Sequence, residues 1–191
     1  MSGLSIFGTG NGTSFPGGIF VGKATILAVE DISGEKVAYM QEACDIGLRL
    51  TLDIGRDFNP TMIFAGNFKQ IGDKTDWGYA WKVKAFLKNI EAGLTNLTED
   101  NRFPEGLLQD LVGKQFLRLT YTSGVNEEKG KVKYSDWGEI GSITEGEEVL
   151  HARFLKSLAK GHPKNYDKDA RAKAETSFPA VVGVAIPDPV E

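Results

Sequence analysis

Trp77, Tyr79 and Trp81 recur at every second residue, with Lys69 and Lys74 before them and Lys82 and Lys84 interleaved or just after. A second group lies further along, where Phe116 and Arg118 alternate with leucines and Lys131, Lys133, Tyr134 and Trp137 decorate the next apolar run. Aromatic rings stack on flat heterocycles of any sequence, at about 1–3 kcal/mol per stacked base. Lysines and arginines beside them neutralise phosphates. The chemistry these residue types support is therefore non-covalent, with rings meeting bases and cations tracking a phosphate backbone. Arg49, on an alternating stretch described below, completes the set. The bland alternative stands beside it, because aromatic residues at such spacings often belong to a core, and Trp81 and Phe86 read that way here.

Signals for covalent chemistry are weak. There is no glycine-rich loop followed by Lys-Ser or Lys-Thr, and GTGNG neither follows a strand nor opens a helix, as a dinucleotide site requires. HExxH and GxSxG do not occur. Asp45, Asp53 and Asp57 could be imagined as a two-metal cluster, but that chemistry needs convergent carboxylates, and these fall on a strand and in a turn. Cys44 is the one cysteine, so no internal disulfide forms, and with His151 and His162 it makes a poor zinc set. It reads as a buried, satisfied thiol, with a reactive or intermolecular cysteine as the alternative. No catalytic residue, metal or cofactor is assigned, and the chain reads as a non-enzyme.

The positioning elements follow from periodicity. Ile19–Asp31 reads as a long first strand in which Gly22 permits sharp coiling. In DIGLRLTLDI, Leu48, Leu50, Leu52 and Ile54 alternate with Arg49, Thr51 and Asp53, the period of a strand with one buried face. TMIFAGNF follows as a third strand, apolar on both faces, so that one side is core and the other is covered or receives a ligand. Ala80–Ile90 reads as a helix with Val83, Phe86, Leu87 and Ile90 as its stripe and Gly93 as its stop. Asn101–Gly113 is a short helical turn with Pro104 in first position. Lys114–Thr122 and Lys131–Ile140 are the fourth and fifth strands. Thr144 and Glu147 have the spacing of a capping box for a C-terminal helix.

With 23 glycines and a hydrophobic share of 41% in 191 residues, a β-rich domain with many reversals and a real core is expected. Five strands with one intervening helix give a mainly β barrel of the oligonucleotide-binding kind over residues 19–143. Residues 1–18 carry no charged side chain and form an N-terminal arm, either disordered or docked through Leu4, Ile6 and Phe7. Residues 144–191 form a helical and then extended appendage, expected to serve electrostatics or assembly rather than barrel folding. Its stretch from His151 to Ala174 holds seven basic residues against Asp167 and Asp169, although the whole chain has a formal net charge of -4. No secretory leader and no apolar run of about 20 residues is visible, so a soluble, cytoplasmic protein in a reducing compartment is expected.

This layout resembles a family of bacteriophage single-stranded DNA-binding and replication-accessory proteins with an oligonucleotide-binding fold. The resemblance covers roughly residues 17–143 and is carried by LRLTLDI with TMIFAGNF, by the basic-aromatic start of WKVKAFLKNI, and by LVGKQFLRLTY with Gly113 and Lys114 leading into the strand. It implies a protein that coats and protects single-stranded DNA during phage replication or recombination, in the host cytoplasm, with replication or recombination proteins as partners. Many members carry an acidic C-terminal tail; this sequence ends IPDPVE after a basic stretch. The alternative from another class is a structural or assembly protein of a virus particle whose barrel binds protein. The acidic overall balance, the uncharged arm and the proline-rich end favour that reading, and self-association belongs to it.

Overall fold

Thirteen consecutive residues, Ile19–Asp31, form strand β2, and the rest of the sheet is placed by reference to it. The structure is a computed structural model describing residues 12–72, 74–90, 98, 100–128, 131–134, 138–170 and 173, with Lys74, Lys131 and Tyr134 described in the backbone alone. Strand β1 (Gly12–Phe15) precedes β2, and β3 (Ile46–Asp53) and β4 (Thr61–Gly66) follow it. A small hairpin of β5 (Lys69–Ile71) and β6 (Lys74–Asp76) leads through a 3-10 turn, Gly78–Ala80, into helix α1 (Trp81–Asn89). Then come α2 (Leu107–Leu111), β7 (Gln115–Asn126), β8 (Lys131–Tyr134), β9 (Glu139–Ser142) and α3 (Glu147–Ala159).

The main path of the sheet runs β4-β3-β2-β7-β8, every pair antiparallel. These five strands curl into an open half-barrel flanked by helices. Each long strand serves two short ones along its outer edge. On β2, β1 pairs from Phe15 opposite Ile19 to Gly12 opposite Gly22, and β3 takes over from Thr25 onward. On β7, β9 pairs at Phe116–Leu119 and β8 beyond Thr122. The stretch expected as one fifth strand is thus two, because its ends pair with different halves of β7. Among the described strands no ladder joins β4 to β8 or β9. Helix α1 lies against both β4 and β9 instead, filling with side chains the gap that hydrogen bonds leave open.

Beyond Gly22, β2 carries a bulge. The register slips between Ile26 and Ala28, which leaves Leu27 unpaired and outward-facing. One extra residue changes which parity faces inward and tightens the twist. Ala24 and Ile26 point into the core before it, and Val29 packs against that core after it. A second slip, between Thr122 and Gly124, does the same to β7.

Side chains on the two faces of this sheet form separate cores. Inside the curl, Leu48, Leu50, Leu52, Met62 and Phe64 meet Val83, Phe86 and Leu87 of α1. Phe86 stacks on Phe64 at 4.4 Å and receives the edge of Phe116 at 5.5 Å. On the opposite face Ile19, Val21, Leu117, Leu119 and Tyr121 are covered by Leu150 and Phe154 of α3. A third cluster, Ile32, Val37, Cys44 and Ala65, seals the outer face of β3 and β4 beneath the 33–44 segment. This is the cover expected for the second apolar face of the third strand.

Several local expectations change. Gly146, at φ 87°, caps α3 and Thr144 makes no capping bond; its hydroxyl pairs with Ser142. Glu147 accepts a hydrogen bond from Thr13, and Phe15 stacks on His151 at 3.9 Å, so part of the expected arm is a strand fastened to α3. Gly106, at φ 82°, precedes α2, with Pro104 ahead of it in a turn. Residues 1–11, Gly93 and 174–191 lie outside the described residues.

Helix α3 is therefore a wall of the fold. Emptying its main contact with Phe154→Ala should cost about 3–5 kcal/mol, read as a lower urea midpoint with an unchanged m-value. A loss below about 1 kcal/mol would return α3 to the status of an appendage.

Candidate functional site

The end of β4 is built to hold the next turn close. A Cβ on Gly66 would sit 2.4 Å from the carbonyl oxygen of Tyr79, so only glycine lets the turn approach. The amides of Tyr79 and Ala80 donate to the carbonyl of Asn67 at 2.9 and 3.2 Å. Asn67 is itself clamped: its Oδ1 accepts from the Asp45 amide at 2.9 Å, while Asp45 Oδ2 accepts from the Phe68 amide at 2.8 Å. Gly78, at φ 44°, passes against Lys69, and its amide donates to Asp76 Oδ1 at 2.9 Å. This bracing leaves the Tyr79 side chain no room inward, and the residue is 79% exposed.

Helix α1 begins at the next turn, and its phase decides the role of Trp81. Val83, Phe86 and Leu87 are buried. Trp81 lies about 160° round the helix from Val83, and it is 57% exposed. Sequence reading assigned Trp81 to the core; the helical phase places it on the outside, with Lys82 Nζ 5.9 Å from its ring centroid. Across from these, the 37–42 turn presents Tyr39, 62% exposed. Burial is the main cause that raises the pKa of its hydroxyl, which also has the backbone of Ala65 beside it. Tyr39, Glu42, Gly66, Tyr79, Trp81 and Lys82 line one open trough of about 590 Å³. Three aromatic rings and a lysine thus converge on one surface.

The other sequence-nominated residues divide. Trp77 meets Phe68 edge-on at 5.7 Å, packs against the inner core, and has Lys84 Nζ 5.7 Å from its centroid. It is half-buried, more a wedge under the turn than an open platform. Phe116 is fully buried between the sheet and Phe86, so the ring nominated for stacking is a core ring with no face to offer. Arg118 is half-buried on β7, opposite Gly22 on one side and Ile140 on the other. Arg49 is bound by Glu30 and by Glu35 at 3.2 Å, an exposed triad that holds its guanidinium pKa up and cancels its charge locally. Lys69 and Lys133 are exposed on β5 and β8. Lys74, Lys131 and Tyr134 are placed only by backbone, on β6 and β8, and Trp137 lies outside the described residues. Of the nominated set, Tyr79 and Lys82 share the trough. Tyr39 and Trp81 were missed, the first for want of any local pattern and the second although the stripe Val83–Phe86–Leu87–Ile90 fixed its phase.

Of the acidic residues considered for metal chemistry, Asp45 and Asp53 accept hydrogen bonds from nearby backbone. Asp45 holds Phe68, and Asp53 Oδ1 accepts from the Gly55 amide at 2.8 Å. Among the described residues no group of three or more His, Cys, Asp and Glu is arranged to hold a metal. Cys44 is buried and donates to the Ile32 carbonyl at 3.1 Å; burial pushes its thiol pKa up. No described helix is long and apolar enough to cross a membrane. Comparison with protein-family models finds no match, and comparison with curated proteins finds none either.

The two tryptophans should separate cleanly by mutation. Trp81→Ala should leave the melting temperature nearly unchanged, whereas Trp77→Ala, which removes a ring packed on Phe68 and the core, should lower stability by about 2 kcal/mol or more. Thermal denaturation of both variants checks this, and equal losses would contradict the assignment of platform and wedge.

Proposed function

We propose that this chain binds single-stranded DNA, with little sequence preference, along the trough of Tyr39, Tyr79, Trp81 and Lys82. The observation that carries the reading is the convergence of three exposed aromatic rings and a lysine on a braced, solvent-open surface. Exposed rings on a globular surface cost hydration free energy, and stacking bases would recover it. A duplex keeps its bases stacked inside and cannot use such a platform, so the preference is for single strands.

The strand order supports the same reading. A long strand shared by two partners, a helix between the third and fourth main strands, and an open seam are features of the oligonucleotide-binding barrel, whose ligands lie across its second and third strands and the neighbouring loops. Here β3 and β4 occupy those places, but the 33–44 segment covers their outer face, and the trough opens beside Tyr39 where β4 ends. The mechanism is non-covalent: stacking, phosphate neutralisation by Lys82 and its neighbours, and exclusion of nucleases and of complementary strands. The resemblance noted above supplies the setting of this proposal, phage DNA replication or recombination.

Fluorescence anisotropy with labelled poly-thymidine tests the reading. Binding should tighten as salt falls and exceed that of a duplex of equal length. Trp81→Ala should weaken it by about 1–3 kcal/mol. Absence of binding at low salt, or equal affinity for duplex, would overturn the proposal in favour of an assembly protein.

A further inference from the structure

The trough does not end at Trp81. Trp81 and Lys82 also line a second hollow, of about 660 Å³, bounded by α1, β9, α3 and the chain after α3. Trp81 and Lys82 line both spaces, so the two hollows adjoin at the first turn of α1. Phe64, Tyr121 and Phe154 form the buried floor of the second hollow, while Arg153 and His162 add nitrogen donors at its wall. Its one carboxylate, Glu139, already accepts a hydrogen bond from Ser157 at 3.2 Å, and Arg153 is held in place by the Ile140 carbonyl at 3.2 Å and by Glu145. Lys156, Lys160 and Lys164 are exposed on α3 and the following segment, whereas Glu147 and Glu148 stand in the first turn of that helix, so its cations gather toward the C-terminal end.

Resting on the reading above, we infer that a bound single strand leaves the Tyr39–Tyr79–Trp81 platform over the start of α1 and continues into this second hollow, with α3 supplying its phosphate contacts. Trp81 and Lys82 belong to both hollows, and the cations flanking the second suit a polyanion better than an apolar or acidic peptide. In this arrangement the C-terminal basic stretch is the far half of one binding track, and Trp81 is its hinge point.

Oligomer length tests it. Thymidine oligomers of about 4 and about 16 nucleotides bracket the site sizes of single barrels, and the short one should occupy the platform alone. The double variant Ala85→Glu with His162→Glu places two negative charges in the second hollow, away from the platform. The long oligomer should lose about tenfold in affinity, with a shallower salt dependence, while the short one binds as to wild type. Unchanged affinity for the long oligomer would overturn the inference and leave the hollow to a peptide ligand. Failure of wild type to bind even the short oligomer would instead overturn the platform reading, and this one with it. Should the double variant not fold, Ser157→Cys carrying a photo-cross-linker gives an independent answer, because Cys44 is buried and only the new thiol is accessible to labelling. Cross-linking to the long oligomer and not to the short one is expected; cross-linking to neither would overturn the inference.

Discussion

Strand β2 has to satisfy β7 along one edge and two different strands along the other, and beyond the change of partner a bulge at Leu27 resets which of its side chains face inward. A thirteen-residue strand with unbroken pleating would keep one parity inward from end to end. With the extra residue, the first half can offer Ile19 and Val21 to α3 and Ala24 and Ile26 to the interior, while the second half turns Val29 to the same interior. The twist concentrated there carries β3 and β4 around toward α1. The bulge thus keeps the second half of β2 on the inner core, as the slip between Thr122 and Gly124 adjusts β7.

The surface that carries the exposed rings depends on a different kind of constraint. Polar side chains, not apolar ones, fix the turn before α1: Asp45 and Asn67 exchange bonds with each other's neighbouring backbone, and Asn67 then accepts two amides of the 3-10 turn. Such reciprocal side-chain-to-backbone bonds define a geometry without burying the residues that make it. That is how Tyr79 and Trp81 stay outside while Ala80, between them, is fully buried. The alternation Trp77-Tyr79-Trp81 thus encodes three separate environments: a wedge, a free ring and the first residue of a helix.

Period-two alternation made β2, β3 and β4 legible, and the stripe of Val83, Phe86, Leu87 and Ile90 did the same for α1. Pattern failed where the partner changes along a strand. Lys131–Ile140 looks continuous in sequence, yet β8 and β9 serve opposite ends of β7, and no local signal marks the switch. It failed again for Phe116, since alternation distinguishes two faces but not whether both are buried: α3 covers the leucine face, and Phe86 of α1 covers the face of Phe116. Tyr39 was invisible because the course of the 33–44 segment is fixed by Ile32, Cys44 and Ala65, contacts distant in the chain. β1 was obscured by its composition, four uncharged residues that gain order only from the edge of β2 and from Glu147 and His151.

Strands β2 and β7 are buried on both faces and also paired along both edges, a combination that β4 and the β5–β6 hairpin lack. Where they pair, one side lies under the ring cluster of Phe86 and Phe116 and the other under Phe154. Opening that ladder requires removing a helix from one side or the other, whereas β4 at the sheet's margin and the β5–β6 hairpin answer to fewer neighbours. Amide protons along the β2–β7 ladder should then exchange with solvent only through whole-molecule unfolding, and those of the hairpin through brief local excursions. The fold is in this sense a slow-exchanging spine bearing a faster margin, and the exposed rings stand on the margin.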